Sequence, residues 1–400
     1  MNKRLLVLLV AVLWPQWLLA QDVIFSKCIA GLQDRARDEG LSAWVVDEVL
    51  PDLKRQMRVI ELDRSQPEFR QTFANYLNRR LTPQRIGRGR ELRNQLQTYL
   101  SKLTTEYGVP GHYLLAFWGL ETNYGSYLGK MPILDSLATL ACDERRSNYF
   151  SSELMTALRL LQRESLSPEQ MRGSWAGAMG HTQFMPSAYS NYAVDGDKDG
   201  KVNLWRSEKD ALASGANFLQ HLGWQTGERW GREVFLPKGF AYEKTGLGNK
   251  QAMNYWRGLG VTLANGGALP DVAIQGSILV PAGHAGPAFL VYQNFHVIMR
   301  WNRSESYALS VGLLADRISG AGSLVYPSLA KEAPLSRRAI ESMQEVLNQL
   351  GFEAGEADGV LGPATRSALR AFENSTGFIA DGYPDSEILS VLEAKEKPSS

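Results

Sequence analysis

The sequence predicts a mainly helical chain of two globular domains, the larger one carrying a small mixed or β insertion. Three observations carry that expectation. Apolar residues recur at helical spacing through most of residues 25–222. The stretch from Val234 to Phe289 breaks the pattern, being rich in Gly and Pro with short β-prone pieces at Gly276–Val280 and Ala288–Tyr292. Finally, Ser319-Gly-Ala-Gly-Ser323 followed by Pro327 and Pro334 is linker chemistry. It separates a body of net charge +4 (residues 22–336) from a segment with 6 basic and 11 acidic side chains, a net −5.

Composition bounds the function. Four hundred residues amount to two or three domains at roughly 100–200 residues each. With 44% hydrophobic and 21% charged residues the chain is ordinarily globular, which excludes a disordered, fibrous or multi-spanning protein. The 43 basic and 42 acidic side chains give no net pull toward nucleic acid or anionic membrane. Arg79, Arg80, Arg85, Arg88, Arg90 and Arg93 cluster without a nucleic-acid module around them, and read as a solvated or carboxylate-binding face. Two cysteines can build neither a zinc ribbon nor a dense disulfide framework. Ten Trp and 15 Tyr serve either core packing or the stacking of flat ligands such as sugar rings.

Residues 1–20 read as an address. Lys3 and Arg4 precede an apolar run from Leu5 to Leu13, too short to span a bilayer, and Leu18-Leu-Ala20 offers cleavage before Gln21. The chain is expected to be exported, soluble and without a transmembrane segment. Export permits a Cys28–Cys142 disulfide, two buried thiols being the alternative.

Within the body, Phe25–Glu39, Leu41–Pro51, Pro67–Leu77, Arg88–Tyr107, Leu134–Leu140, Tyr149–Gln162 and Asp210–Leu222 have helix-like spacing. Pro110 is placed to start a helix whose run Tyr113–Leu120 holds no charge, so it is buried all round. Glu121 sits at its end. Apolar surroundings raise a carboxyl pKa, the behaviour wanted of a general acid on a glycosidic oxygen. From pattern alone, a helix-end glutamate pointing into water stands equal to it. A second block, Gly173-Ser-Trp-Ala-Gly-Ala-Met-Gly180 leading into Gln183-Phe-Met-Pro-Ser187, lets backbone approach a ligand, while Ser174 and Gln183 supply hydrogen bonds.

At these residues the chain resembles the lytic murein transglycosylase B family. The resemblance rests on Gly119-Leu-Glu-Thr-Asn-Tyr-Gly125, Arg145-Arg-Ser-Asn-Tyr-Phe150, Ala176–Gly180 and Gln183–Ser187. Gly108-Val-Pro110 and Asn294–Asn302 fit as well, and the whole runs from about residue 23 to 318. It implies a lysozyme-like helical catalytic domain over residues 22–318, a linker at 319–335, and an enzyme of the periplasm. Such an enzyme cleaves the β-1,4 bond between N-acetylmuramic acid and N-acetylglucosamine without water, leaving 1,6-anhydro ends. Glu121 would be the sole acid and then base, and the substrate's N-acetyl group would replace a second carboxylate. Ser174 and Gln183 match subsite residues. Tyr76, Arg145, Arg146, Tyr149, Trp301 and Asn302 match substrate-contacting positions, ordinary surface ion pairing being the alternative for the arginines. Phe218 and Trp301 depart from the tyrosines of the best-known members, which puts subsite preference in question. No catalytic cofactor is implied.

Asp195-Gly-Asp-Lys-Asp-Gly-Lys-Val-Asn203 resembles an EF-hand loop, with Asp195, Asp197 and Asp199 at positions 1, 3 and 5 and the Lys201 carbonyl at 7. Arg206 stands at position 12, and the resemblance has Asp210 close the site instead. A structural Ca2+ or Na+ is expected, a metal-free Asx-turn loop being the alternative.

Beyond the linker, Ile340, Met343, Leu347 and Leu350 form one helical stripe ending at Gly351. Two turn-into-helix passages follow, at Asp358–Thr365 and Asp381–Asp385. Residues 336–393 resemble the type 1 peptidoglycan-binding domain through Gln344, Leu347, Asp358-Gly359, Thr365, Phe372 and Asp381-Gly382. They depart from it at Glu373, where the family has glutamine, and 394–400 read as a frayed tail. Implied partners are peptidoglycan strands and other cell-wall enzymes, with the chain a monomer and nucleic acid excluded. A lysozyme-type hydrolase and a catalytically silent wall-binding scaffold are the competing readings.

Overall fold

The computed structural model describes residues 23–65, 72–164, 166–326 and 335–396. The expected address at 1–20 and residues 327–334 of the linker lie outside them. The described residues fall into two compact units, 23–65 with 121–218, and 72–120 with 219–396. Helices dominate both. None of the described helices is long and apolar enough to cross a membrane.

In the first unit Ile133–Ala141 packs against Ser147–Arg163, and the helix at 23–38 reaches the latter where Arg35 donates to Ser152 Oγ at 3.3 Å. The unit's core is Phe25, Ile29, Leu32, Leu137, Leu154 and Leu158, and Cys28 is disulfide-bonded to Cys142. The expected helix at Leu41–Pro51 contains a π-helical turn, Val45–Val49, closed by the Leu50 N–H on the Val45 carbonyl at 2.9 Å. This wider turn buries Val45, Val46, Val49 and Leu50 together. The helix Met57–Ser65 was not expected from spacing.

In the second unit, Phe73–Arg80 starts from Thr72, whose hydroxyl accepts the Asn75 N–H at 3.3 Å. The single helix expected at Arg88–Tyr107 is two, Pro83–Gln95 and Gln97–Tyr107, because the backbone leaves helical geometry at Leu96 (φ −100°, ψ 13°). Thr82 caps the first, and Pro83 opens it, upstream of the apolar run that spacing detects. Three arginines of the cluster are spent on carbonyls, and Arg88 pairs with Glu91 at 3.2 Å. Arg85 donates to the Arg80 carbonyl at 2.5 Å and Arg90 to that of Arg317 at 3.0 Å, while Arg93 reaches the Ser319 carbonyl at 3.4 Å. Arg90 and Arg93 thereby serve the C-terminal end of the helix Glu305–Ser319.

The insertion is an antiparallel sheet in the order Gln251–Ala252, Gln275–Leu279, Ala288–Val291, Gly231–Phe235, Thr262–Leu263. Ser277 pairs with Val291, and Gly231 with Val291 on the other side. Trp256, Ile278, Leu290 and Tyr292 fill its core.

Three helices, Arg337–Gln349, Pro363–Thr376 and Ser386–Glu396, build the C-terminal module around Met343, Leu347, Leu369, Phe372 and Leu392. The last helix runs past 393, so 394–396 are helix rather than tail. Buried Gln344 explains most of the motif there. Its amide donates to Asp358 Oδ1, the Val360 carbonyl and Thr365 Oγ1, and its oxygen accepts the Gly359 N–H. Glu373 is buried too, with Oε2 accepting the Gly382 N–H at 2.8 Å and Oε1 unpartnered. Burial, then the nearby Asp381, pushes its pKa up to about 8. A folded-state pKa raised above the unfolded value means stability present below about pH 4.5 is lost as pH rises toward 8. Glu373→Gln is therefore expected to be more stable than the parent at pH 8, by ~1 kcal/mol or more. The two should converge at pH 4, as read by denaturant unfolding.

Candidate active site

The helix Gly111–Thr122 buries Tyr113 through Leu120 and carries Glu121, which is half-buried, in its last turn. A strained turn follows. Asn123, Tyr124 and Gly125 have φ of 49°, 58° and 79°, a left-handed run that costs non-glycine residues ~1–2 kcal/mol each and persists only where its surroundings fix it. Thr122 and His181 do so here. The Thr122 hydroxyl donates to the His181 carbonyl at 3.2 Å and accepts the Gly125 N–H at 3.1 Å. A Cβ on Gly125 would stand 2.2 Å from the His181 ring, so only glycine fits. Burial lowers the His181 pKa, which favours the neutral ring, and the His181 backbone N–H is tied to the Leu204 carbonyl at 2.8 Å. The turn carrying Glu121 is thus fixed to the 173–187 block. Sequence reasoning passed over Thr122 and His181, although both lie in or beside the signature blocks.

Within that block, Ser174 Oγ accepts the Ala178 N–H at 3.0 Å, closing the small-residue loop. Gln183 also has positive φ, 48°. Its amide N–H groups go to the carbonyls of Gly180 at 2.9 Å and Leu128 at 3.2 Å, which sets the orientation of its side-chain oxygen.

Arg145, Arg146 and Tyr149 line one depression of about 670 Å3, together with Cys28 and Cys142. Asp63, which no sequence signal marked, organises it. Only 4% exposed, it takes Arg145 Nη2 on Oδ2 at 2.6 Å and Arg146 Nη2 on Oδ1 at 2.5 Å. Both arginine side chains keep about half their surface in solvent, and Tyr149 is 48% exposed.

Among the described residues, the buried carboxylates of the first unit are all committed. Asp63 holds the arginines, Glu153 accepts the Ser187 hydroxyl at 2.6 Å and N–H at 2.9 Å, and Asp210 serves backbone amides. Asp210 Oδ1 accepts the Gly196 N–H at 2.9 Å and Oδ2 the Asn203 N–H at 2.7 Å. Carboxylate oxygens of Asp195, Asp197 and Asp210 lie within 4.8 Å of one another. Asp199 stands outside that group, its Oδ1 accepting the Lys201 N–H at 2.8 Å. Three converging carboxylates are a donor set suited to a hard cation.

The sequence pattern of the transglycosylase SLT domain matches residues 24–316, most of the chain. The chain belongs to the transglycosylase SLT family. The peptidoglycan binding domain pattern matches residues 336–392. This transglycosylase is 35% identical over 258 residues to membrane-bound lytic murein transglycosylase B of Escherichia coli strain K12, covering 62% of this chain and 67% of that one. It is similar to SltB3 of Pseudomonas aeruginosa, solved in complex with NAG-anhNAM-pentapeptide, at 41% identity and a TM-score of 0.87. That match covers 92% of this chain and 99% of that chain. It is similar also to Escherichia coli Slt35, solved in complex with calcium, at 32% identity and a TM-score of 0.63, over 74% and 93%. The mainly α, lysozyme-like fold and the class of enzyme, a peptidoglycan lytic transglycosylase, follow.

Tyr76, Trp301 and Asn302 belong to the transglycosylase's second unit. Tyr76 is only 7% exposed, with the Arg80 guanidinium 5.1 Å over its ring. Trp301 is half-buried, tilted on Phe117 at 4.4 Å, and Asn302 is exposed, its side-chain oxygen accepting the Ser304 N–H at 3.2 Å. Phe218, in the first unit, packs on Tyr192 at 4.7 Å and edge-on to Phe184 at 5.2 Å.

Proposed function

We propose that Glu121 alone performs the proton transfers of this transglycosylase. As acid it protonates the glycosidic oxygen leaving the muramyl anomeric carbon. As base it then takes the proton of the muramyl C6 hydroxyl while that oxygen closes on the same carbon, giving the 1,6-anhydro end. The observation carrying this reading is the strained, glycine-dependent turn that holds Glu121 at the end of a buried helix. Support comes also from the commitment of Asp63, Glu153 and Asp210 to other partners, which leaves the charge of the oxocarbenium-like intermediate to the substrate's N-acetyl group. Digestion in 18O-labelled water tests it. No label should enter the new muramyl ends, and quantitative labelling would identify a hydrolase.

Ser174 and Gln183 orient the sugars, and Arg145, Arg146 and Tyr149 bind carboxylate and ring surface of the substrate. Tyr76, Trp301 and Asn302 are further substrate-binding residues. Asp63 fixes both guanidinium groups, so Asp63→Asn is expected to raise KM for peptide-bearing substrate about fivefold while kcat stays within twofold.

Asp195, Asp197 and Asp210 hold a structural calcium ion, which takes no part in proton transfer. Calcium should raise the melting temperature, with ~2.7 kcal/mol gained at a hundredfold excess over Kd, and Asp210→Asn should abolish that gain. The protein acts in the periplasm, residues 1–20 being its export signal. The disulfide supports that placement, since oxidising compartments allow such bonds.

A further inference from the structure

Within the second unit, the module helix Pro363–Thr376 and the 243–249 loop of the inserted subdomain line a common cavity of about 470 Å3. Two contacts hold the walls together. Asp381 Oδ2 accepts the His284 N–H at 2.7 Å and lies 2.7 Å from its ring Nδ1. The Arg370 head, meanwhile, is clasped by backbone from both sides. A Cβ on Gly246 (φ 104°) would stand 2.9 Å from Nη2, and one on Gly382 2.7 Å from Nη1.

Arg370 lines the cavity yet makes no hydrogen bond or ion pair among the described residues. Arg366, one turn before it on the same face, has a single long bond to the Gly382 carbonyl at 3.4 Å. Like charges at this spacing repel, and burial followed by Arg366 lowers the Arg370 pKa. Glu305, Glu373 and Asp381 act in the opposite direction. Of these, Glu373 is held largely protonated at neutral pH by its burial. Asp381 is already engaged by His284 and by the Tyr383 N–H at 2.7 Å. Two planar, donor-rich cations therefore line the cleft with no ion pair of their own among the described residues, an arrangement suited to a carboxylate. Glu243 and Glu305 line the same cleft and suit an amine.

We propose that this cleft binds a short peptide through its free carboxylate, the source being the stem peptides of peptidoglycan. The inference rests on the reading that the C-terminal module holds the wall polymer, and makes the inserted subdomain half of that binding site.

The test uses the full chain carrying Glu121→Gln, so that bound wall is not consumed. Calorimetry compares a soluble stem tetrapeptide with a free C-terminal carboxylate against its C-terminal amide. The free form should bind about tenfold or more tightly than the amide, and Arg370→Gln or Arg366→Gln should erase the difference. Equal affinity for the two peptides, no binding of either, or discrimination that survives in both arginine variants overturns the proposal. Should an arginine variant fail to fold, shown by its melting curve, the two peptides on the otherwise unaltered chain decide alone. Co-sedimentation with intact sacculi runs in parallel. Failure to sediment defeats the wall-holding reading itself, while sedimentation without peptide discrimination defeats only this inference.

Discussion

Glu121→Gln is expected to lower turnover of peptidoglycan by about 10^3-fold or more while leaving sacculus binding intact. General acid or base catalysis by one positioned group contributes ~10^2–10^4-fold, and in the proposed mechanism one carboxyl group serves both steps. Glutamine keeps the volume and hydrogen-bonding shape of the side chain but cannot deliver or accept the proton. The surroundings are already fixed by Thr122, His181 and Gly125, so the variant should fold as the parent does. Initial rates on soluble glycan strands, paired with a melting curve, separate lost chemistry from lost structure. Turnover within tenfold of the parent would remove Glu121 from the mechanism.

The second large effect concerns the disulfide. Cys28 and Cys142 are 114 residues apart, and closing so long a loop restricts the unfolded chain strongly. Replacing both cysteines by serine should destabilise the first unit by about 2–4 kcal/mol. The cost falls on the depression lined by Arg145, Arg146 and Tyr149, because Cys28 and Cys142 line it too. Unfolding by denaturant with and without reductant measures it. Identical midpoints would show that packing of Phe25, Ile29 and Leu32 already holds the N-terminal helix unaided.

Much of this architecture was legible because it is written in local patterns. The uncharged run Tyr113–Leu120 spells a buried helix, Pro110 stands just before its start, and Gly377 closes the helix Pro363–Thr376 in left-handed geometry. Where the chain departs from such rules, spacing failed for identifiable reasons. The π-helical turn at Val45–Val49 has the apolar content of an α-helix but a different bonding pattern. Strand Gly231–Phe235 begins before the Gly/Pro-rich stretch that flagged the insertion. The division into two units joins segments distant in sequence, which no local pattern encodes. The same limit hid Asp63, whose significance comes from arginines 82 and 83 residues away. Glu373 was visible as a departure from a motif, and the structure gives the departure its physical meaning, a buried carboxyl group with one oxygen unpartnered.

The central claim is that a single carboxyl group, Glu121, cleaves the glycan without water. Mass spectrometry of the muropeptides released from purified sacculi tests it most directly. The account predicts muramyl products lighter by one water than their reducing counterparts and resistant to borohydride, formed by the parent and absent with Glu121→Gln. Reducing muramyl ends as the main product, or anhydro products that persist at the parent's rate in Glu121→Gln, would contradict it.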